Sequence, residues 1–318
     1  GLRNGQTVSV LGPLSCSTTA TSSSNAGSYP SQCSGASDAN YAVTYVNGSV
    51  NVAQAVLTVT ANNQTMVFGG PVPTLTATIT GFVNGQTLAT SGVTGAPSCS
   101  TTATTSSPGG TYPITCSLGT LGATNYSFTF VSGTLTVGFS STVVCNYFGE
   151  LNLNAGQSVL IPPGCYVIGD VDVHAGGSLE AQGAVVLGSV SSVSGATLQF
   201  CSTNIGGLFT ASGDTRSVVL GDGGTCGGDT IVGAVSLASN TTGVSIQGCR
   251  ALAFISLSSN AGGARLSNCS VAGYVAVTSN SGGTTVTNNT VLGYLRVTGN
   301  SGTVVDHPNT VWGSQTLQ

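Results

Sequence analysis

The acidic side chains come first, because paired carboxylates are the usual sign of hydrolytic chemistry. Asp170 and Asp172 stand two apart. On a strand that spacing puts both on one face, as in carbohydrate-active enzymes that use such pairs for acid–base work or to hold calcium. Those sites also need basic groups and further carboxylates on neighbouring segments, and the surrounding sequence offers mainly Ser, Val and Gly. The pair therefore reads as a solvated strand face. Asp222 and Asp229 bracket a glycine-rich stretch whose spacing fits no full calcium ligand set, so it reads as a turn. His174 and His307 are the only imidazoles, and no Gly-x-Ser-x-Gly elbow accompanies them. The chain has five arginines and no lysine, which removes phosphate-binding P-loops, Schiff bases and Lys–Asn isopeptide crosslinks. The sequence thus assigns no catalytic residue, no metal and no cofactor, and the expectation is a non-enzyme.

Composition points to where such a chain works. Charged residues are 4% of 318, against about 25% in ordinary globular chains, and the net charge is −4. That leaves no electrostatic footprint for nucleic acid and little charge to keep copies apart. No apolar run approaches 18 residues, so nothing reads as a membrane-spanning helix. Ten cysteines in such a chain read as disulfides formed in an oxidising, extracellular setting.

What must position these side chains is a repeat. Asn240, Asn260, Asn280 and Asn300 fall in strict register every 20 residues. Two aliphatic columns share it: Val235, Ile255, Val275 and Leu295, and beside them Leu237, Leu257, Val277, Val297 and Leu317. A small-residue column, Gly233, Ala253, Gly273, Gly293 and Gly313, precedes both. The period is too short for a helical hairpin, and segments such as Tyr274–Thr278 alternate as strands do. A parallel β-helix is predicted, with about 20 residues per coil and an asparagine ladder at one corner, asparagine tolerating the left-handed geometry of a turn. Phe254, Tyr274 and Tyr294 form another column and point outward by alternation, a candidate contact stripe. Cys249 and Cys269 differ by one period and so sit on adjacent rungs within disulfide reach. Among Cys145, Cys165, Cys201 and Cys226 the local pairs Cys145–Cys165 and Cys201–Cys226 are preferred, with the connectivity left open.

The N-terminal part is a different repeat. Leu2–Thr7 matches Phe82–Thr87, Ser15–Thr21 matches Ser98–Thr104, Gly27–Pro30 matches Gly110–Pro113, and Asn40-Tyr41 matches Asn125-Tyr126. Short alternating strands between turns read as small immunoglobulin-like β-sandwiches. Equal spacing at equal positions pairs Cys16 with Cys33 and Cys99 with Cys116, each closing a loop worth roughly 3 kcal/mol. These phrases, with Leu57–Ala61, the Asn-Gly-x-Thr turn, Thr-Tyr-Pro-Ile and Asn-Tyr-Ser-Phe, resemble MBG-type repeats, the Ig-like modules of large secreted bacterial surface proteins. Phe68-Gly69 stands where that family usually has Tyr-Gly, and its pattern does not require the cysteine pairs. The resemblance implies an extracellular spacer or adhesive role. Residues 151–318 also resemble secreted bacterial right-handed β-helix proteins, through Asn288–Gly293 and Pro308–Gly313. That likeness implies a fold and no single activity.

The predicted organisation is an all-β chain: an incomplete Ig-like module over 1–54, a complete one over 55–138, and a capped β-helix over 139–318, with 138–164 as the cap. The first module has no counterpart of Ala55–Thr80, which supplies the second module's opening strands. Such a sandwich exposes an apolar groove and an unpaired edge. Either the sequence belongs to a longer tandem array or another subunit supplies the strand. The expected function is an extracellular structural subunit that joins copies of itself head to tail by strand donation. The alternative is the distal region of an adhesin binding surface glycan, and a β-helix polysaccharide lyase or hydrolase ranks behind both.

Overall fold

The computed structural model describes residues 1–142, 145–222 and 226–318. The chain divides into two compact units, Gly1–Gln64 with Thr74–Thr102 and Pro113–Thr134, and Thr65–Pro73 with Ala103–Tyr112 and Leu135–Gln318. The division does not follow the module boundary at 138, because two segments of the second module belong with the β-helix.

In the first unit, strands β1 (Ser15–Thr18), β2 (Gly27–Ser34) and β3 (Gly48–Val52) form an antiparallel sheet in the order β1–β2–β3. The next module contributes β4 (Ala55–Ala61), β5 (Gln64–Val67), β6 (Ala77–Thr80), β7 (Ser98–Thr101), β8 (Gly110–Ser117), β9 (Tyr126–Val131) and β10 (Gly133–Gly138). Strand β4 is central in its sheet, antiparallel to β6 and parallel to β9. Its sequence Ala-Val-Leu-Thr-Val-Thr-Ala alternates, and Leu57, Val59 and Ala61 are buried. The two copies are built alike in detail. Cys16 and Cys33 are cross-strand neighbours and disulfide-linked, as are Cys99 and Cys116. The Tyr41 hydroxyl donates to Gln6 and accepts from the Arg3 N–H; the Tyr126 hydroxyl donates to Gln86 and accepts from the Val83 N–H.

In the second unit, residues 141–316 wind into a parallel β-helix with three sheets of nine strands among the described residues. Each coil gives one strand to each sheet, and most registers step by 19 or 20 residues, as from Val275 to Leu295. The step lengthens to 26 between Asn204 and Thr230, in the coil that carries the 222–229 loop. Strands Ser141–Thr142, Tyr147–Phe148 and Leu151–Leu153 already pair with the next coil, so 138–164 is the first coil and not a cap. Its texture differs because a terminal coil packs on one side only. Phe139 instead meets Phe68, with ring centroids 5.6 Å apart. The coil interior is dry and aliphatic. Val235, Leu237, Ile255, Leu257, Val275 and Val277 are fully buried, and Phe200 packs edge to face on Phe209 at 5.1 Å. Leu317, the last of its column, is exposed. Disulfides join Cys145–Cys165, Cys201–Cys226 and Cys249–Cys269, each between neighbouring coils.

Candidate functional site

The acids do not converge. Asp170 precedes the strand Val171–Val173 and Asp172 lies within it. The Ser189 N–H donates to Asp170 at 2.7 Å, and the Ser191 hydroxyl donates to Asp172, so each carboxylate is taken up by a serine one coil further on. His174 meets Asn152 at 3.1 Å, and His307 stands beside Asp306 at 3.4 Å. Asp222 accepts from the Cys226 N–H within its own turn, while Asp229 is fully buried. Residues 223–225 between them lie outside the described residues. Among the described residues no three His, Cys, Asp or Glu side chains come together as a metal site.

The buried polar groups are organised as ladders instead. Asn260 Oδ1 accepts from the Asn240 N–H (3.1 Å) and from Asn240 Nδ2 (2.8 Å), while Asn260 Nδ2 donates to the Leu237 carbonyl (3.0 Å) and to Asn280 Oδ1 (2.9 Å). The pattern repeats at Asn280 and Asn300 and passes to Gln318. Its other end is Asp214, an acceptor-only side chain that takes the Gly195 and Ala196 N–H groups and the Ser192 hydroxyl. Burial pushes the Asp214 carboxyl above its ordinary range, with these donors opposing. The left-handed residue at each turn is not the asparagine but the serine before it: Ser239, Ser259 and Ser279 have φ of 56–58°. The asparagine is thereby turned inward, where its amide is worth most. A second, shorter ladder runs through Asn289 and Asn309 at another corner.

Asp229 stands in that second column, 20 residues before Cys249, where later coils carry asparagine. One oxygen accepts from the Thr203 N–H at 2.7 Å; Oδ2 has no partner among the described residues. Burial pushes its carboxyl up to about 6, partly offset by the Thr203 bond. The folded chain therefore holds this proton where the unfolded chain, with a carboxyl near 4, has released it. Its contribution is most favourable below about pH 4 and is lost as pH rises through about 6. Asp229→Asn is expected to stabilise the β-helix by roughly 2 kcal/mol at pH 7 and to flatten the pH dependence between 4 and 6. Urea unfolding across that range measures it. Glu180 is a further buried carboxyl, raised by burial against hydrogen bonds from the Gly109 N–H and Gln182.

Two surfaces remain open. The first is in the first module. Tyr41 makes only an isolated bridge to Asp38, and residues 42–46 lie in no strand, although their counterparts Tyr126–Val131 pair with β4. No residue of 1–54 is buried, whereas Leu57, Val59, Ile114, Leu121 and Tyr126 are buried around β4. A groove of about 260 Å³ lies along the vacant position, lined by Val8, Leu11, Leu14, Val43, Tyr45 and Val46. Val46 is 89% exposed and Val8 76%.

The second surface runs along the β-helix. Phe254, Tyr274 and Tyr294 stack face to face, with centroids 4.7 Å apart and planes within 4°. Stacking covers the inner ring faces, so the column presents mostly edges, an unsuitable platform for sugar rings. Two residues earlier in each coil lies an exposed column that the sequence reading passed over. It begins with Phe148, Ile168 and Leu187, passes through Gly206 to Val232 and Leu252, and continues through Ala272 to Leu292 and Trp312; backbone bonds between successive coils fix the register. Its seven large members are 40–76% exposed. The signal was present, since Val232, Leu252, Leu292 and Trp312 keep the 20-residue register. It was missed because an outward column has no strand alternation to announce it.

Comparison with protein families matches the model of the MBG domain (YGX type) to residues 1–51 and 57–136. Comparison with curated proteins found no match, and comparison with solved structures found none. Phe68-Gly69 gives the motif a physical meaning here. Gly69 has φ +77°, and a Cβ there would lie 1.9 Å from Ser178 Oγ; its carbonyl accepts from Arg216 Nη1 at 2.7 Å.

Proposed function

We propose that this chain, with MBG domains at 1–51 and 57–136 ahead of a disulfide-stapled β-helix, is a non-enzymatic structural subunit outside the cell whose copies join by strand addition to the first module. Five disulfides and the MBG match support the extracellular, oxidising setting.

The observation that carries the reading is the contrast between two copies of one module. In the second copy β4 lies parallel to β9, with Leu57 opposite Phe128 and Val59 opposite Phe130, and a core forms around it. In the first copy the equivalent edge, 41–46, is unpaired and no side chain is buried. A strand with β4's alternation, laid parallel to 41–46, would place its aliphatics over Val43 and Tyr45 and supply the missing core. Such a contact joins unlike surfaces, so repeating it builds an open chain of subunits rather than a closed ring.

Electron microscopy of the purified chain tests this. Regular fibres are expected, shortened or abolished by an excess of a peptide carrying the Ala55–Ala61 sequence, which competes for the slot. Monodisperse particles indifferent to that peptide would contradict the reading.

A further inference from the structure

The exposed apolar column on the β-helix is self-complementary, and this is independent of the first module. Counting coils from Phe148 as the first to Trp312 as the ninth, the order of large and small side chains fits its own reverse. When two identical columns are laid face to face in antiparallel directions, centred on Val232 of the fifth coil, coil k meets coil 10−k. Gly206 then faces Leu252, and Ala272 faces Leu187, so each small residue receives a large one. Phe148 meets Trp312, Ile168 meets Leu292, and Val232 meets itself across the two-fold axis. In the parallel arrangement Gly206 would face Gly206 and Ala272 would face Ala272, leaving two voids in a stripe that has only nine positions.

The flanking column obeys the same rule. Backbone bonds put Asp170, Ser189, Leu208, Ala234, Phe254, Tyr274 and Tyr294 in one register. In the antiparallel arrangement Phe254 meets Leu208, Ala234 meets itself, and Asp170 meets Tyr294, whose hydroxyl can donate to it. No carboxylate meets a carboxylate. On the other flank Arg250 lies opposite Asn204. Nine rungs at about 4.8 Å make the stripe roughly 40 Å long. At a width of roughly 14 Å for two columns, a pair of copies buries about 1,100 Å² in total, near the lower bound for a specific interface. Copies also share the same rung spacing, so contacts stay in phase over the full length, which an unrelated partner cannot match.

We propose that this stripe is the lateral contact between two copies of the chain, paired antiparallel about Val232 through the β-helix. In an assembly built by strand addition, such a contact ties neighbouring strings side by side. The chemistry is a dry apolar zipper with no ligand and no metal.

Single cysteine substitutions with a short bis-maleimide crosslinker read the register directly, because the ten native cysteines are all disulfide-bonded. The experiment is done on the full chain carrying Val43→Asp, which blocks strand addition, so that failure of that contact and failure of this one are seen separately. Val232→Cys is expected to crosslink with itself. Leu292→Cys is expected to crosslink at least tenfold less with itself than in a mixture with Ile168→Cys. Leu252→Asp, an exposed position in the monomer, is expected to weaken the dimer about a hundredfold in sedimentation equilibrium, since it is buried twice in each pair. Leu292→Cys linking to itself as readily as Val232→Cys would mean a parallel pair and overturn the proposal. So would a Val232→Cys chain that stays monomeric with an unaltered β circular-dichroism spectrum.

Discussion

Asn260→Ala is expected to destabilise the β-helix by roughly 4 kcal/mol, the largest effect of any single polar truncation in the chain. The side chain makes four hydrogen bonds in a fully buried corner. Its removal leaves the Asn240 N–H and Nδ2 without their acceptor and the Leu237 carbonyl without its donor, and it takes one donor from Asn280 Oδ1. Buried groups left unpaired cost about 1–3 kcal/mol each, and no water enters a corner closed by the coils above and below. The lost methylene-sized volume adds less. For a unit of this size the midpoint of thermal unfolding should fall by roughly 10 °C. Asn260→Asp should be as damaging at pH 7, because it keeps the acceptor but buries a charge, and should recover in part under acid, when the protonated carboxyl can donate again. Asp229→Asn is the mirror experiment, placing an amide where the ladder lacks one. Calorimetry on these variants decides whether the ladders hold the coils together or merely decorate them.

Val43→Asp is expected to abolish assembly, lowering the affinity between subunits at least a hundredfold, while leaving the β-helix transition unchanged. Val43 occupies the place of Phe128, which in the complete module lies opposite Leu57 of β4. A carboxylate there faces the aliphatic side chains of any incoming strand and must be desolvated without a partner, at a cost of about 3 kcal/mol or more. The Cys16–Cys33 bridge keeps β1 and β2 paired in the variant, so loss of assembly is not loss of the module. Ser9→Asp, equally charged but outside the groove lining, serves as the control and should assemble normally.

The β-helix was legible in the sequence because its constraint repeats. Asn240, Asn260, Asn280 and Asn300, and the columns of Ile255 and Leu257, carry one environment through successive coils, so one reading of a coil holds for all. The disulfide partners followed from the same logic, since Cys249 and Cys269 differ by one period. Three features escaped because they break the period or point away from it. The first coil resembled a cap because its outer face packs on Phe68 and not on another coil. Asp214 and Asp229 looked like loop acids because the long coil at 203–229 shifts them out of the 20-residue register, although each stands in a ladder column. The left-handed conformation was assigned to asparagine on its intrinsic tolerance, whereas the fold gives that place to Ser239, Ser259 and Ser279 so that the amide can face inward. In the N-terminal part, comparing two copies of one module revealed the missing strands, which neither copy alone would have shown. The carboxylate pair Asp170 and Asp172 was read as a solvated face, and the structure gives each a serine partner on the next coil.

Backbone hydrogen exchange at residues 41–46, measured in dissociated and in assembled chain, tests strand addition most directly. Residues 126–131 act as the internal standard because β4 already protects them. Strand addition predicts fast exchange at 41–46 in the dissociated chain, slowing at least a hundredfold on assembly, with 126–131 slow in both. Equal protection of 41–46 in both states, or fibres in which 41–46 still exchange as freely as in the dissociated chain, would contradict it.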